Sequence, residues 1–542
     1  MWARQCKAFT IYKQLPSRDH TNMDNVEVDS APLQSNTDLV NTNPSWTHSF
    51  PHVLVATISS FLFGYHLGVV NEPLESISLD LGFNGNTLAE GLVVSTCLGG
   101  ALIGSILSGW VADGLGRCRA FQISAVPMII GALLSATTKN LACMLLGRML
   151  VGTGMGLGPT VVSLYITEVS PPSMRGTYGG FVQIATCLGL MGALFVSIPV
   201  KEISGWWRIC FGVSIIPAAV LALAMMFCAE SPHWLHKRGR SVEAEAEFER
   251  LLGASHVKTA MQELAKSDRG DDTDAVRFSE LLHGRHFRGM CLNTHTYILY
   301  CLFSFLFFLF QYLCLLLGFY SCCHFLAFVF FRLCYSHVPF AVVFIGSTLF
   351  ALQQLSGINA VFYFSSSVFK SAGVSSGIAN LFVGVANLLG SVIAMVLMDE
   401  LGRRVLLLWS FFGMAVSMGL QVAAAGSYFS DSGALYLAVG GMLMFVFTFA
   451  LGAGPVPGLL LPEIFPGRIR AKAMAVCMSV HWVINFFVGL LFLRLLEQLG
   501  PRLLYTIFGT FCLVAVVFVK RNVMETKGKS LQEIEIALLP QE

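Results

Sequence analysis

The chain has 542 residues, of which 55% are hydrophobic and 12% are charged, and its formal net charge is +2. Its mean hydropathy is +0.68. This composition excludes a single soluble domain and indicates a polytopic membrane protein. The near-neutral charge gives no sign of a nucleic-acid partner.

The predicted elements are helices that cross a bilayer. The apolar segments are about 20 to 25 residues long, which suits a hydrocarbon core of roughly 30 Å and not outer-membrane strands. A polar tail covers residues 1–50, and a second tail covers 523–542. The predicted spans are 52–72, 88–112, 119–138, 141–165, 177–199, 207–228, 342–369, 376–399, 404–427, 434–460, 471–496 and 502–521.

Basic residues lie at one side of these spans, which orients the chain. By the positive-inside rule this side is cytosolic, or its equivalent in an organelle, and it also carries both tails. The basic residues on this side include Arg117, Arg119, Arg175, Arg403, Arg404, Arg468, Arg470 and Lys472.

Internal repetition divides the spans into two homologous halves, 51–228 and 342–522. Each half carries matching acids and arginines at the cytosolic ends of its spans, and such opposite charges can pair across the helix bundle and separate when the halves rock. Orientation by positive charge alone would explain the arginines but not their matched acids. The predicted gating residues are Asp113, Arg117, Glu168, Arg175 and Glu230, and, in the second half, Asp399, Arg403, Glu463, Arg470 and Glu525.

Span seven carries the stretch Gln353-Gln354-Leu-Ser-Gly-Ile-Asn359, three amides in an apolar segment. Uncharged amides supply both a donor and an acceptor, as sugar hydroxyls do, and they avoid the cost of burying an ion. In a straight helix Gln354 and Asn359 would point about 140° apart. A bend at Gly357 would turn both toward one pocket. Amides can equally join helices to each other, and that alternative stays open.

Span ten contains a second predicted break. Gly454-Pro455-Val-Pro457 includes two prolines, which lack backbone donors and clash with the preceding turn. This predicts either a hinge that gates the pathway or a static kink.

Two segments lie between the halves. Residues 229–288 are charged, and Ser241 to Leu252 has amphipathic helical spacing, which predicts cytosolic linker helices that brace the halves. Residues 289–341 are rich in Phe, Leu and Cys and contain no Asp, Glu or Lys. This composition favours a retained intron or gene-model error over a genuine extra hairpin. A single added span would reverse the second half.

These motifs resemble the sugar porter family of the major facilitator superfamily. The residues around His66 and Pro455 are most similar to its plant plastidic glucose transporter branch. The resemblance implies an all-α membrane protein with a twelve-helix major facilitator fold, made of two six-helix halves and a cytosolic linker. It implies sugar held between the halves near the bilayer midplane. The motifs that carry the resemblance run from Gly109 to Arg117, Gly147 to Arg148, Glu168 to Gly176, Glu230 to Leu235, Gln353 to Tyr363, Asp399 to Arg404, Gly454 to Pro457 and Glu525 to Ser530.

The resemblance also implies the sugar contacts. Two positions depart from the family pattern: Gly458 stands where relatives often have Trp, and His481 where they often have Asn. Sugar selectivity therefore does not transfer from the family. The implied contacts are Gln183, Gln353, Gln354, Asn359, Asn387, Trp482 and Asn485.

The expected function is transport of glucose or a related hexose by alternating access, through facilitated diffusion. Proton-coupled relatives carry Asp where this chain has His66, and they pair it with an arginine in span four, here Arg148. A symporter that uses His66 stays an alternative, as does a non-transporting sugar receptor on the same scaffold. No catalytic residue, cofactor or metal site is predicted, which argues against an enzyme. The expected partners are a small-molecule sugar and the lipid bilayer, with a monomer as the working unit.

The predicted location is the plastid envelope, which follows from the resemblance alone. Golgi or another endomembrane is the alternative. The first eighteen residues contain Arg4, Lys7, Lys13 and Arg18 and no acid, as in a weak organelle-targeting segment, although acids follow at once.

Overall fold

The computed structural model describes residues 46–171, 174–269, 341–371, 376–426, 431–465 and 470–527. Within these ranges every regular element is a helix. Eleven helical stretches are long and apolar enough to cross a membrane. The last of them contains two spans, so the predicted number of twelve membrane-spanning helices is confirmed.

The first half contains six spans. The sixth is divided at Ser214 into two helices, and a short helix, α2, follows the first span on the outer side. The helices of this half are α1 Trp46–Gly68, α2 Leu74–Asp80, α3 Thr87–Leu115, α4 Arg117–Thr137, α5 Leu141–Val169, α6 Arg175–Val200, α7 Trp206–Val213 and α8 Ile215–Ala224.

Glycines let the spans of this half pack backbone to backbone. A Cβ at Gly152 of α5 would lie 1.9 Å from the Cys97 carbonyl oxygen of α3, and one at Gly104 would lie 2.1 Å from the Thr153 oxygen. Apolar burial gives little driving force inside a membrane, so close contact between small residues holds the helices together.

The cytosolic linker begins with three helices, α9 Pro232–Lys237, α10 Ser241–Leu252 and α11 Val257–Arg269. The predicted amphipathic helix matches α10, which buries Ala244, Phe248 and Leu251. Residues 1–45, 270–340 and 528–542 lie outside the described part of the chain, and so does nearly all of the unusual segment 289–341.

The second half contains two broken spans, the seventh and the tenth. Its helices are α12 Ala341–Leu355, α13 Ile358–Ser371, α14 Ser376–Leu401, α15 Arg403–Ala424, α16 Asp431–Leu451, α17 Pro455–Ile464 and α18 Arg470–Asn522. Within α18, Gly500 has non-helical angles (φ 73°, ψ 163°) and separates spans eleven and twelve.

Candidate functional site

The seventh span is bent where the amide spacing predicts. Between α12 and α13, Gly357 has φ +87°, a left-handed conformation that glycine adopts without steric cost. A Cβ there would lie 2.6 Å from a ring carbon of Phe508, so the site also lacks room for a side chain. The bend brings Asn359 to Gln354, and the Asn359 amide nitrogen donates to Gln354 Oε1.

The amides form a hydrogen-bonded network, here called the amide network: Gln353, Gln354, Asn359 and His481. Gln354 Nε2 donates to Gln353 Oε1 at 3.1 Å and lies 3.0 Å from His481 Nδ1. Gln353 Nε2 donates to the backbone oxygen of Ala453. The three amide residues are buried and uncharged, so they can exchange hydrogen bonds with a neutral hydroxyl-bearing ligand.

Two predicted contacts on α18 lie beside this network. Asn485 is buried and shares hydrogen bonds of 3.2 and 3.3 Å with the Tyr363 hydroxyl. Trp482 is fully buried, and its ring packs edge-on against His481 in α18 and Phe63 in α1 of the other half. Among the described residues its indole nitrogen has no hydrogen-bond partner, so it is an unused donor between the halves.

The last two predicted contacts, Gln183 and Asn387, meet across the halves at Cys187. Gln183 Nε2 lies 3.8 Å from Cys187 Sγ, and that sulfur lies 3.9 Å from the backbone oxygen of Asn387. Asn387 is buried, and its side-chain oxygen has no partner in the described parts of the chain. The Asn387 side chain therefore presents an unused acceptor.

The tenth span is broken beside the amide network, as its prolines predict. Helix α16 ends at Leu451 and α17 begins at Pro455. The Gly454 nitrogen donates to the Phe449 oxygen at 2.9 Å, which closes the interrupted turn. Gln353 of span seven donates to the Ala453 oxygen in this break, so a hydrogen bond joins broken spans seven and ten directly.

His66 and Arg148 are neighbours, but their side chains are not hydrogen-bonded to each other. Arg148 donates to the backbone oxygens of Val93 at 3.2 Å and His66 at 3.5 Å, and its guanidinium lies 5.7 Å from the Phe211 ring centroid. The buried His66 ring has no hydrogen-bond partner among the described residues. The contact therefore uses the His66 backbone and not its imidazole.

Charged side chains at the cytosolic end of the first half pair within that half. Arg117 binds Glu168 in a bidentate pair of 2.8 and 2.9 Å and lies 3.4 Å from Asp113. Glu230 instead accepts from the backbone nitrogens of Arg117 and Cys118 at the start of α4. An acid there satisfies unpaired donors and the helix dipole.

The second half repeats this arrangement. Arg403 lies 3.3 Å from Glu463, and Glu525 accepts from the Arg403 and Arg404 backbone nitrogens at 2.9 and 3.0 Å. These contacts join helices of one half, so they do not themselves cross between the halves. The side chains of Arg175, Asp399 and Arg470 lie outside the described part of the structure.

On the outer side, a polar cluster joins the halves, and the sequence interpretation did not identify it. We call it the outer cluster: Asn71, Glu72, Ser365, Ser366 and Asn380. Asn71 donates to Ser365 Oγ at 2.7 Å, and the Ser366 nitrogen donates to Asn71 Oδ1 at 3.1 Å. The Glu72 carboxylate accepts from the hydroxyl of Ser366.

Glu72 also pairs with Lys201 at 3.1 Å, although its own side chain is only 4% exposed. A buried carboxylate is stable only with such partners. The signal in the sequence was an acid directly after an asparagine at the outer end of span one, with a serine run after the amides of span seven.

Two halves of six spans, with polar side chains enclosed between them, define a membrane carrier of the major facilitator type. The chain belongs to the family described as "Sugar (and other) transporter", whose sequence profile matches residues 52–321 and 328–538.

Among relatives, the chain is 65% identical over 543 residues to "Probable plastidic glucose transporter 2" of Arabidopsis thaliana, covering 99% of each chain. It is 39% identical over 535 residues to "Plastidic glucose transporter 4" of the same plant, covering 98% of this chain and 87% of the relative.

Solved structures of sugar carriers are also similar to this chain in fold. The inward-open xylose transporter XylE from E. coli aligns with a TM-score of 0.68 and 26% identity, covering 90% of this chain and 99% of that one. The proton:xylose symporter XylE bound to 6-bromo-6-deoxy-D-glucose aligns with a TM-score of 0.71 and 27% identity, covering 91% and 99%.

Proposed function

We propose that the chain carries glucose or a related hexose across the plastid envelope by alternating access. The observation that carries this proposal is the buried, uncharged amide network at the broken seventh span. Names of the relatives support glucose and the plastid, and a glucose derivative bound to XylE supports a hexose in this fold. The Golgi is the alternative location.

The mechanism uses hydrogen bonds that the site residues make to each other when no sugar is bound. A sugar hydroxyl can replace the contact between Gln354 and Asn359, while Asn387 and Trp482 contribute an unused acceptor and donor. Burial makes these bonds selective, because a buried polar group left unpaired is costly. We propose that the monomer is the working unit and that sugar moves down its gradient.

The test is labelled-glucose uptake into vesicles that contain Gln354→Ala or Asn387→Ala. Each lost hydrogen bond costs about 1 kcal/mol, so we expect KM to rise about fivefold or more without loss of protein. Gln421→Ala is the matched control, because Gln421 is also buried but donates to the Ala438 backbone between α15 and α16. Equal effects of all three changes would assign the amides to helix packing instead.

A further inference from the structure

The amide network fixes the proton position on His481. The Ala453 backbone oxygen can only accept, so Gln353 must turn its nitrogen toward it and its oxygen toward Gln354. Gln354 therefore presents its nitrogen to both Gln353 and His481, and its oxygen accepts from Asn359. Because Gln354 donates, His481 Nδ1 must accept, and the imidazole proton lies on Nε2.

His481 is held in place by aromatic contacts as well. Its ring packs edge-on against Trp482, with centroids 4.9 Å apart, and against Phe350 at 5.4 Å. His481 as a whole residue is partly exposed, and its Nε2 is not among the buried polar atoms of the described residues that lack a partner. The network and the two rings thus orient one donor at the edge of the amide site.

Open space lies beside Gly458 of α17. A Cβ at Gly458 would meet no atom within 4 Å. Along span ten, Gly458 lies between Ala453, which contacts Gln353, and Leu461, which approaches Gly346. This places Gly458 about one turn on the cytosolic side of the amides.

The space lies on the side of α17 that points away from the packed interior of its own half. Val456, Pro457, Leu460, Leu461 and Ile464 are buried on one side of α17. Gly458 and Leu459 lie on the opposite, less buried face. The Leu459 side chain packs next to Gly179 of α6, where an added Cβ would be 3.1 Å from a Leu459 methyl carbon. Gln183 is one turn further along α6, so this face of α17 lies near a predicted sugar contact.

We propose that His481 and Gly458 set the sugar selectivity of this site. His481 donates its Nε2–H to a sugar oxygen, and the space beside Gly458 receives an uncharged substituent on the cytosol-facing side of the sugar. The exposed face of α17 there consists of proline, glycine and leucine, which offer no charge to a charged group. The ligand class is a hexose with or without a neutral substituent. This inference rests on the proposed function.

Glucose uptake by the wild-type protein is measured first, since its absence would reject the proposed function and not the roles of these two residues. His481→Phe keeps a ring but removes the donor and the acceptor, so we expect the glucose KM to rise about tenfold while the protein stays folded. His481→Gln restores hydrogen bonding and is expected to recover most of the affinity. Equal KM values for the Phe variant and the wild type would overturn the role of His481.

The space is tested by competition against labelled glucose with glucose and with its mono-O-propyl ethers. At least one ether should inhibit the wild-type protein about as well as glucose does. Gly458→Trp should weaken inhibition by that ether at least about fivefold more than it weakens inhibition by glucose. Gly440→Trp is the control, because a Cβ at Gly440 also meets no atom within 4 Å, but on α16. Failure of every ether to inhibit, or equal loss in both Trp variants, would overturn the proposal.

Discussion

At the scale of single residues, the amides have different roles. Gln353 donates to a backbone oxygen of the next broken span, which fits helix-to-helix bonding. Gln354 and Asn359 satisfy each other, whereas Asn387 and Trp482 hold unused polar atoms among the described residues. Asn387 and Trp482 are therefore the residues that should gain most from a bound sugar, whereas Gln354 and Asn359 must first exchange their mutual bond.

We predict that a proton gradient does not drive sugar accumulation. Arg148 contacts the His66 backbone and not its ring, so the pair lacks a carboxylate that could release and regain a proton. Vesicles with an acid outer solution and no sugar gradient should show no hexose accumulation above equilibrium. Accumulation that a protonophore abolishes would instead favour a symporter that uses His66.

At the scale of elements, glycine and proline determine where spans seven and ten break. We predict that Gly357→Ala impairs uptake and stability, because a Cβ would meet Phe508 at 2.6 Å and the backbone has φ +87°. Left-handed backbone alone costs about 1–2 kcal/mol for a non-glycine residue. Gly82→Ala is the control, since Gly82 follows α2 with φ +76° and a Cβ there would meet no atom within 4 Å. The Gly357 variant should unfold at a lower temperature and take up less sugar than the control variant. Equal losses in the two variants would contradict the packing argument.

The cytosolic ion pairs supply a second prediction at this scale. Glu168→Gln should destabilise the protein strongly, because it leaves Arg117, whose side chain is 7% exposed, without its bidentate partner. Breaking a buried pair costs about 3–5 kcal/mol, and partial exposure of Glu168 reduces this. Asp113→Asn should cost less than about 1 kcal/mol, because Asp113 is 67% exposed. Equal shifts in thermal unfolding would contradict this order.

The spans and the two breaks could be predicted from the sequence, because apolar length, proline and glycine act locally. The spacing of Gln354 and Asn359 even indicated the bend at Gly357. The partners of the charges could not be predicted, since pairing depends on how helices pack. The outer cluster was missed for the same reason: Asn71 and Ser365 are far apart in the chain and meet only through the packing of the two halves.

At the scale of the whole molecule, the outer cluster holds the two halves together on one side. We predict that Glu72→Gln loosens this contact, because a neutral amide accepts a weaker hydrogen bond from Ser366 of the other half than the carboxylate does. A cysteine placed at Leu194, which lines the small cavity next to Asn71 and Ser365, reports opening through labelling by an impermeant maleimide. Loss of a buried charged hydrogen bond should raise the labelling rate about tenfold over the native-cysteine background.

Glu202→Gln is the matched control for this prediction, because Glu202 is the exposed neighbour of Lys201. It should leave the labelling rate unchanged. If both variants label at the wild-type rate, Glu72 does not stabilise the closed outer side.

The central claim is that the two halves carry a hexose between them by alternating access, and counterflow tests it most directly. Vesicles preloaded with unlabelled glucose are diluted into a trace of labelled glucose, with a protonophore present. Alternating access predicts a transient accumulation of label above equilibrium in the wild-type protein, reduced in Gln354→Ala. Bound label without any overshoot would contradict transport and support a sugar receptor on the same scaffold.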